Sequence, residues 1–408
     1  MNAPDDPALP AFPLRRAAPL EPPALYGWAR AHRPVLPVRL WNGKRAWLIT
    51  RHDDFKALLQ DQRLSGSFAH PSFPAITAAR EQVDRQNRTF RGMDNPRHHY
   101  FRRMLTKEFS VKRVAQLRPM IDATAAALVD ALQRRGPPAD IVEDFAIKLP
   151  GIVLCELMGA PHDDHPFLRQ CVAVRHGMNQ TPGAVEHAAG DLFRYVLGLV
   201  EKKKTAPGDD LLTRLYTEQV ATGALSVDEL VDIGAEILMA GFDTTANTIA
   251  LGVYLFLCHP DQIARLRSDP GLIEGAVEEV LRYLSPNQFS PRLVALEDID
   301  LRGEKILAGE GLFLLNAAAN RDPGVFQDPD VFDIGKDAAL QVALGYGIHQ
   351  CLGQMLARAE LQAAYLGLLT RLDGLRLAVP EEELRFKTDM QMYGIYHLPV
   401  TWDAAGGH

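Results

Sequence analysis

A chain of 408 residues, 47% of them hydrophobic, is long enough to bury a large core, and length alone would suggest two or three domains. Its 4 cysteines (Cys155, Cys171, Cys258 and Cys351) are too sparse for a disulfide framework and form no C-x-x-C pair, which fits a reducing cytoplasm. A net charge of −7 argues against nucleic-acid binding as the main activity.

In chain order, 7 prolines among the first 23 residues predict an extended arm over 1–23, and Asp5 and Asp6 are incompatible with a secretory signal. Apolar runs at Val35–Leu40 and Ala46–Thr50, parted by Asn42-Gly43, predict a hairpin. Arg80, Arg85, Arg88 and Arg91 alternate with Glu81 and Asp84, a pattern that reads as a solvated face rather than an anion-recognising lid. Asn95-Pro96 reads as a cap followed by proline at the first helical position, and His98 and Arg102 then share one face of that helix. From Arg91 to Arg113 the local charge is +5, leaving −12 elsewhere, so this segment could meet an acidic partner.

The best-marked element is a central helix. Ser226-Val-Asp-Glu229 predicts a capping box and Pro260 the stop, giving about 32 residues and roughly 48 Å. It is apolar nearly all round and so expected to be buried. Glu236, Asp243, Thr244, Thr245 and Asn247 interrupt its apolar run, and Ile249–Cys258 is too short to span a bilayer, so no membrane anchor is expected. Within the helix, Ala240-Gly241-Phe242-Asp243-Thr244-Thr245 clusters poor helix formers, which a local groove or loosened turn would explain. There a diatomic ligand could lie against Gly241, with Asp243 and Thr244 relaying protons.

Glu279 and Arg282 are one helical turn apart, a spacing that in isolation means a solvated surface bridge. Strand-like stretches follow near Arg292–Leu301, Lys305–Leu315 and Leu398–Trp402, making the chain an α-rich α+β protein. No Gly/Ser linker, charge block or repeat divides it, so one domain over 1–408 is expected. Last comes Gly345-Tyr-Gly-Ile-His-Gln-Cys351-Leu-Gly353. It presents one cysteine on a glycine-rich loop just before a helix expected to begin near Leu352, where unpaired N–H groups and the dipole favour a thiolate.

The spacing G-x-G-x-H-x-C-x-G resembles the haem loop of the cytochrome P-450 family. The acid–threonine pair after Ala240-Gly241, the Glu279/Arg282 pair and the Met93–Arg103 segment are similar to that family's oxygen-activation, E-x-x-R and propionate motifs. The resemblance implies a single triangular, α-rich P-450 fold with a long central helix and small β-sheets. It implies haem b lying between that helix and the cysteine loop, with Cys351 as axial thiolate, and His98, Arg102, Arg292 and His349 around the propionates. Asp243 and Thr244 would deliver protons. The implied activity is a monooxygenase that takes O2 and two electrons and oxidises, chiefly hydroxylates, a mid-sized, largely apolar small molecule. Its substrate-facing segments would be Phe68–Thr89, Leu238–Phe242, Asn287–Phe289 and Gln391–Tyr393. No reductase domain follows residue 408, so a separate ferredoxin and ferredoxin reductase are the expected donors, with Arg103, Lys107, Lys112 and Arg113 as docking candidates. Two departures from the family pattern are Asn95, in place of a proline, and Leu344, where phenylalanine usually shields the sulfur. A haem-thiolate peroxygenase or reductase, a non-catalytic haem sensor and a haem-free helical protein stand as alternatives; the intact Asp243-Thr244 pair speaks against the peroxygenase and the reductase. No nucleotide-binding glycine motif or His/Cys metal cluster is present in the sequence, so neither flavin nor nicotinamide is expected.

Overall fold

The computed structural model describes residues 9–178 and 180–403. They divide into two compact units, one comprising Met1–Arg103, Glu278–Leu352 and Thr388–Gln391, the other Met104–Val277, Gly353–Lys387 and Met392–His408.

The first unit is built on a five-stranded sheet with spatial order Val35–Arg39, Arg45–Ile49, Gly311–Leu314, Arg292–Ala295, Leu64–Ser65. The expected hairpin is present: Val35 pairs with Ile49 and Arg39 with Arg45, around a turn in which Gly43 takes φ 80°, a left-handed conformation open to glycine. Arg45–Ile49 then runs parallel to Gly311–Leu314, the only parallel pair of strands in this sheet among the described residues. The stretch expected as one strand over Lys305–Leu315 is two, Glu304–Ile306 and Gly311–Leu314, because Gly309 at φ 84° turns the chain between them. On one face, Val35, Trp47, Ile49, Phe55, Leu293, Leu312 and Leu314 close a core with Val342, and Tyr346 packs against it. That contact anchors the loop preceding Cys351. The described part of the N-terminal arm, 9–23, has no helix. It lies along the outer strand, where Arg39 donates to Pro10 O and Phe12 donates to Arg39 O, each at 2.9 Å, while the Phe12 ring is buried against Phe289 and Phe313.

The second unit is helical around Val227–Leu257, 31 residues of which 22 are buried, as an apolar helix must be. Both halves of the capping box form: Glu229 N donates to Ser226 Oγ at 3.1 Å and Ser226 N to Glu229 Oε2 at 2.9 Å. Pro260 opens the next helix, Pro260–Ser268. The central helix packs on Lys148–Met158, His165–His176, Pro182–Thr205 and Gln354–Arg371. Gly252 lets the last of these approach closely, since a methyl group there would overlap the Tyr365 hydroxyl, which donates to Thr248 O at 2.8 Å. Among the described residues no helix is long and apolar enough to cross a membrane.

Candidate functional site

Two left-handed glycines, Gly345 (φ 75°) and Gly347 (φ 71°), shape the loop that carries Cys351. Its backbone N–H closes the loop on Leu344 O at 2.8 Å. The helix expected to begin near Leu352 begins at Gln354, with Gly353 as its cap at an ordinary φ of −83°, so Gly353 serves no special conformation.

Beside this loop, and in the same unit up to Arg103, lies the helix Arg97–Thr106, with Asn95 and Pro96 in the turn before it. It brings together the residues that the sequence pairs only by spacing. The His98 and His349 rings lie 4.3 Å apart between centroids, and Arg102 is close enough to Cys351 for the sulfur's charge to favour its guanidinium's charged form, although burial has the larger, opposite effect. Burial, reinforced by His349, Arg102 and His99, pushes the His98 pKa down to about 4. His349 is likewise lowered by burial, with Arg102 and Arg91 adding to it and Asp94 opposing. The Asp94 carboxylate accepts from Gly66 N at 2.9 Å and from Ser65 Oγ, which fixes it in place. His98 Nδ1 is buried with no hydrogen-bond partner. Two imidazoles depressed chiefly by burial and further by nearby positive charge, one with an orphaned ring nitrogen, form a donor set suited to an anion.

Arg292, the remaining member of the expected propionate shell, is buried and engaged. Its Nη1 donates to Asp84 Oδ2 at 2.7 Å and Pro74 O at 2.8 Å, and its Nη2 to Asp84 Oδ1 at 3.1 Å. Arg80 completes this group on Asp84 at 2.9 Å. The face expected to be solvated is therefore buried at Arg80 and Asp84, whose side chains are 11% and 3% exposed. Sequence reasoning missed Asp84, although its i,i+4 spacing from Arg80 was the available signal.

In the second unit, Asp243 and Thr244 lie on an unbroken helix; no loosened turn forms there. The polar side chains are satisfied by reaching back one turn instead: Thr244 Oγ1 donates to Ala240 O at 2.7 Å, Asn247 Nδ2 to Asp243 O at 2.8 Å and Thr248 Oγ1 to Thr244 O at 2.7 Å. Gly241 does not front an open groove either. A Cβ there would meet Leu154 Cδ2 at 3.0 Å, so the glycine serves helix packing.

Glu279 and Arg282, read in isolation as a surface bridge, are 0% and 1% exposed. Arg282 Nε donates to Glu279 Oε2 at 2.7 Å and its Nη1 to the carbonyls of Asn320 (2.9 Å) and Pro329 (2.7 Å), while Glu279 accepts from Asp333 N. The pair ties the helix Ile273–Leu284 to the chain leading into the cysteine loop.

Residues 184–270 and 271–390 match the sequence model for Cytochrome P450. A pentalenic acid synthase of Streptomyces avermitilis is 43% identical over 96% of this chain and 97% of its own length. The chain belongs to the cytochrome P450 family. A vitamin D3 dihydroxylase of Streptomyces griseolus is 40% identical over 96% of this chain and 97% of its own. The solved structure of MycCI of Micromonospora griseorubida, a mycinamicin VIII C21 methyl hydroxylase bound to mycinamicin VIII, superposes with a TM-score of 0.91 at 34% identity, covering 97% of this chain and all of that one. The fold is thus the α-rich α+β P450 fold, the protein is a P450 monooxygenase, and the family brings a haem with cysteine thiolate ligation. The residues present fit that group: a thiol on a glycine-shaped loop, and beside it a guanidinium and an imidazole pair in which His98 Nδ1 is buried with no hydrogen-bond partner.

Proposed function

We propose that Cys351 is the thiolate ligand of haem b and that this P450 hydroxylates a mid-sized, largely apolar small molecule: R–H + O2 + 2e⁻ + 2H⁺ → R–OH + H2O. The observation that carries the reading is the convergence of His98, with its orphaned Nδ1, on His349 and of Arg102 on Cys351. Two haem propionates would supply negative charge here, and a protonated or neutral imidazole can donate to them. Arg102, His98 and His349 would hold these carboxylates, with Arg292, whose guanidinium already donates to Asp84 and Pro74 O, as a further donor. Bound haem supplies oxygen binding and O–O cleavage, favoured by the electron-rich thiolate. The chain's own part is to orient substrate and move protons. The Thr244 hydroxyl donates to Ala240 O, which leaves its oxygen lone pairs to accept, and Asp243 passes protons toward it.

The relatives' names point to natural-product-sized substrates, and Phe68, Phe73, Leu238, Phe242 and Tyr393, all buried, give the expected substrate segments the apolar surface such molecules need. Electrons come from a ferredoxin and its reductase, and the enzyme works in the cytoplasm as one haem domain. The decisive experiment is the difference spectrum of reduced protein under carbon monoxide. Wild type shows the red-shifted Soret band of a thiolate complex, and Cys351→Ser loses it; a variant that kept the band would remove Cys351 from the mechanism.

A further inference from the structure

Asn247, 2% exposed, uses its whole side chain. Its Nδ2 donates to both Asp243 O and Asp243 Oδ1, each at 2.8 Å. Its Oδ1 accepts from Lys387 Nζ, also at 2.8 Å. Room for this comes from Gly394, where a Cβ would overlap Asn247 Oδ1. Lys387 is held in turn: its backbone N–H donates to Gly394 O at 2.8 Å, Phe386 bridges Ile395, and Nζ lies 5.7 Å from the centre of the partly exposed Tyr396 ring.

An amide has two orientations differing by a half-turn, and only its partners choose between them. With the amide reversed, Oδ1 would face two oxygens of Asp243 and the NH2 group would face an ammonium. Lys387 therefore selects the orientation in which Asn247 holds the Asp243 carboxylate. A cation on the amide oxygen also polarises the N–H bonds and strengthens their donation to the carboxylate in a poorly screened interior. We infer that Lys387 is a positioning residue for Asp243: through Asn247 it fixes the carboxylate that feeds protons toward Thr244. This rests on the reading of Asp243 as a proton carrier given above.

The test uses haem-loaded enzyme with Lys387→Met, Lys387→Arg and Asp243→Asn variants and two readouts. The first is independent of turnover: solvent exchange of the Asn247 side-chain NH2, followed by NMR in the diamagnetic, CO-bound reduced state. Lys387→Met should speed it several-fold and Lys387→Arg should keep it slow. The second is hydrogen peroxide released per electron pair when a ferredoxin and its reductase drive oxidation of 7-ethoxycoumarin. Lys387→Met should raise peroxide several-fold, as should Asp243→Asn, with Lys387→Arg restoring coupling, whereas a purely structural lysine would leave the ratio at its wild-type value. Slow amide exchange in Lys387→Met, or wild-type peroxide in that variant while Asp243→Asn releases more, overturns the assignment of Lys387 alone. Wild-type peroxide in Asp243→Asn overturns the proton-carrier reading itself, and the assignment with it.

Discussion

Glu360 is 2% exposed in the helix Gln354–Arg371, its Oε2 has no partner, and burial pushes its pKa up to about 8. The folded state thus binds this proton more tightly than the unfolded chain, where a glutamate titrates near pH ~4.3. Its contribution to stability is fully present below that value and is lost progressively as pH rises to about 8. Glu360→Gln removes the ionisation. Thermal melts should therefore show the variant gaining on wild type between pH 5 and pH 8, by on the order of a few kcal/mol at the upper end; a constant difference across that range would contradict the assignment. At this scale the sequence is readable where chemistry constrains spacing. Cys351 stands out because Gly345 and Gly347 flank it in a pattern that few other tasks require. Asp84 and Arg282 do not stand out, because an acid and a base one turn apart look the same on a solvated face and in a core; only the surrounding chain, here Pro74 O, Asn320 O and Pro329 O, decides that they are buried.

Among elements, the contact of the central helix with Gln354–Arg371 depends on one missing side chain. In Gly252→Ala the new methyl overlaps the Tyr365 hydroxyl, a rigid ring end, so the ring must shift and weaken its bond to Thr248 O. The expected cost is about 1–3 kcal/mol, read as a lower melting temperature at unchanged haem content, and Tyr365→Phe in the same chain should recover part of it. Loss of no stability in the single variant would show that the helices have slack. Elements with their own boundary chemistry were legible beforehand: the hairpin from Asn42-Gly43, and the central helix from Ser226, Glu229 and Pro260. The loosened turn expected at residues 240–245 does not form: propensity counts Thr and Asp as poor helix formers without counting the bonds that Thr244 and Thr248 make to the preceding turn. The split between Glu304–Ile306 and Gly311–Leu314 was hidden for a similar reason: apolar runs do not record where a chain turns.

For the molecule as a whole, charge is unevenly spread, with +5 from Arg91 to Arg113 against −12 elsewhere. Internal pairing thins this surplus: Lys107 meets Glu218, and Arg113 meets Asp209 at 3.0 Å. Arg103 and Lys112 are exposed, and Val111 beside Lys112 is 65% exposed. An acidic donor protein of the kind proposed above would be steered by such exposed cations, and salt would screen them. Charge reversal at Arg103 or Lys112 should slow stopped-flow reduction by an acidic ferredoxin and flatten its dependence on ionic strength, while substrate-induced spectral shifts stay as in wild type. Reduction rates indifferent to both the substitutions and the salt would place donor docking on another face.

The short pairing of Pro10–Phe12 with Arg39 has a consequence for how copies of this protein coexist at high concentration. Val35–Arg39 is an outermost strand, and such a strand offers unpaired backbone groups to any extended chain that meets it. The arm takes up two of those groups and seats Phe12, 3% exposed, against Phe313 of the sheet and Phe289, while its prolines cannot donate to a further strand. The stretch that looks least like structure in the sequence thus acts as a guard against self-association. Trimming it would leave the catalytic residues intact and yield an enzyme prone to aggregate.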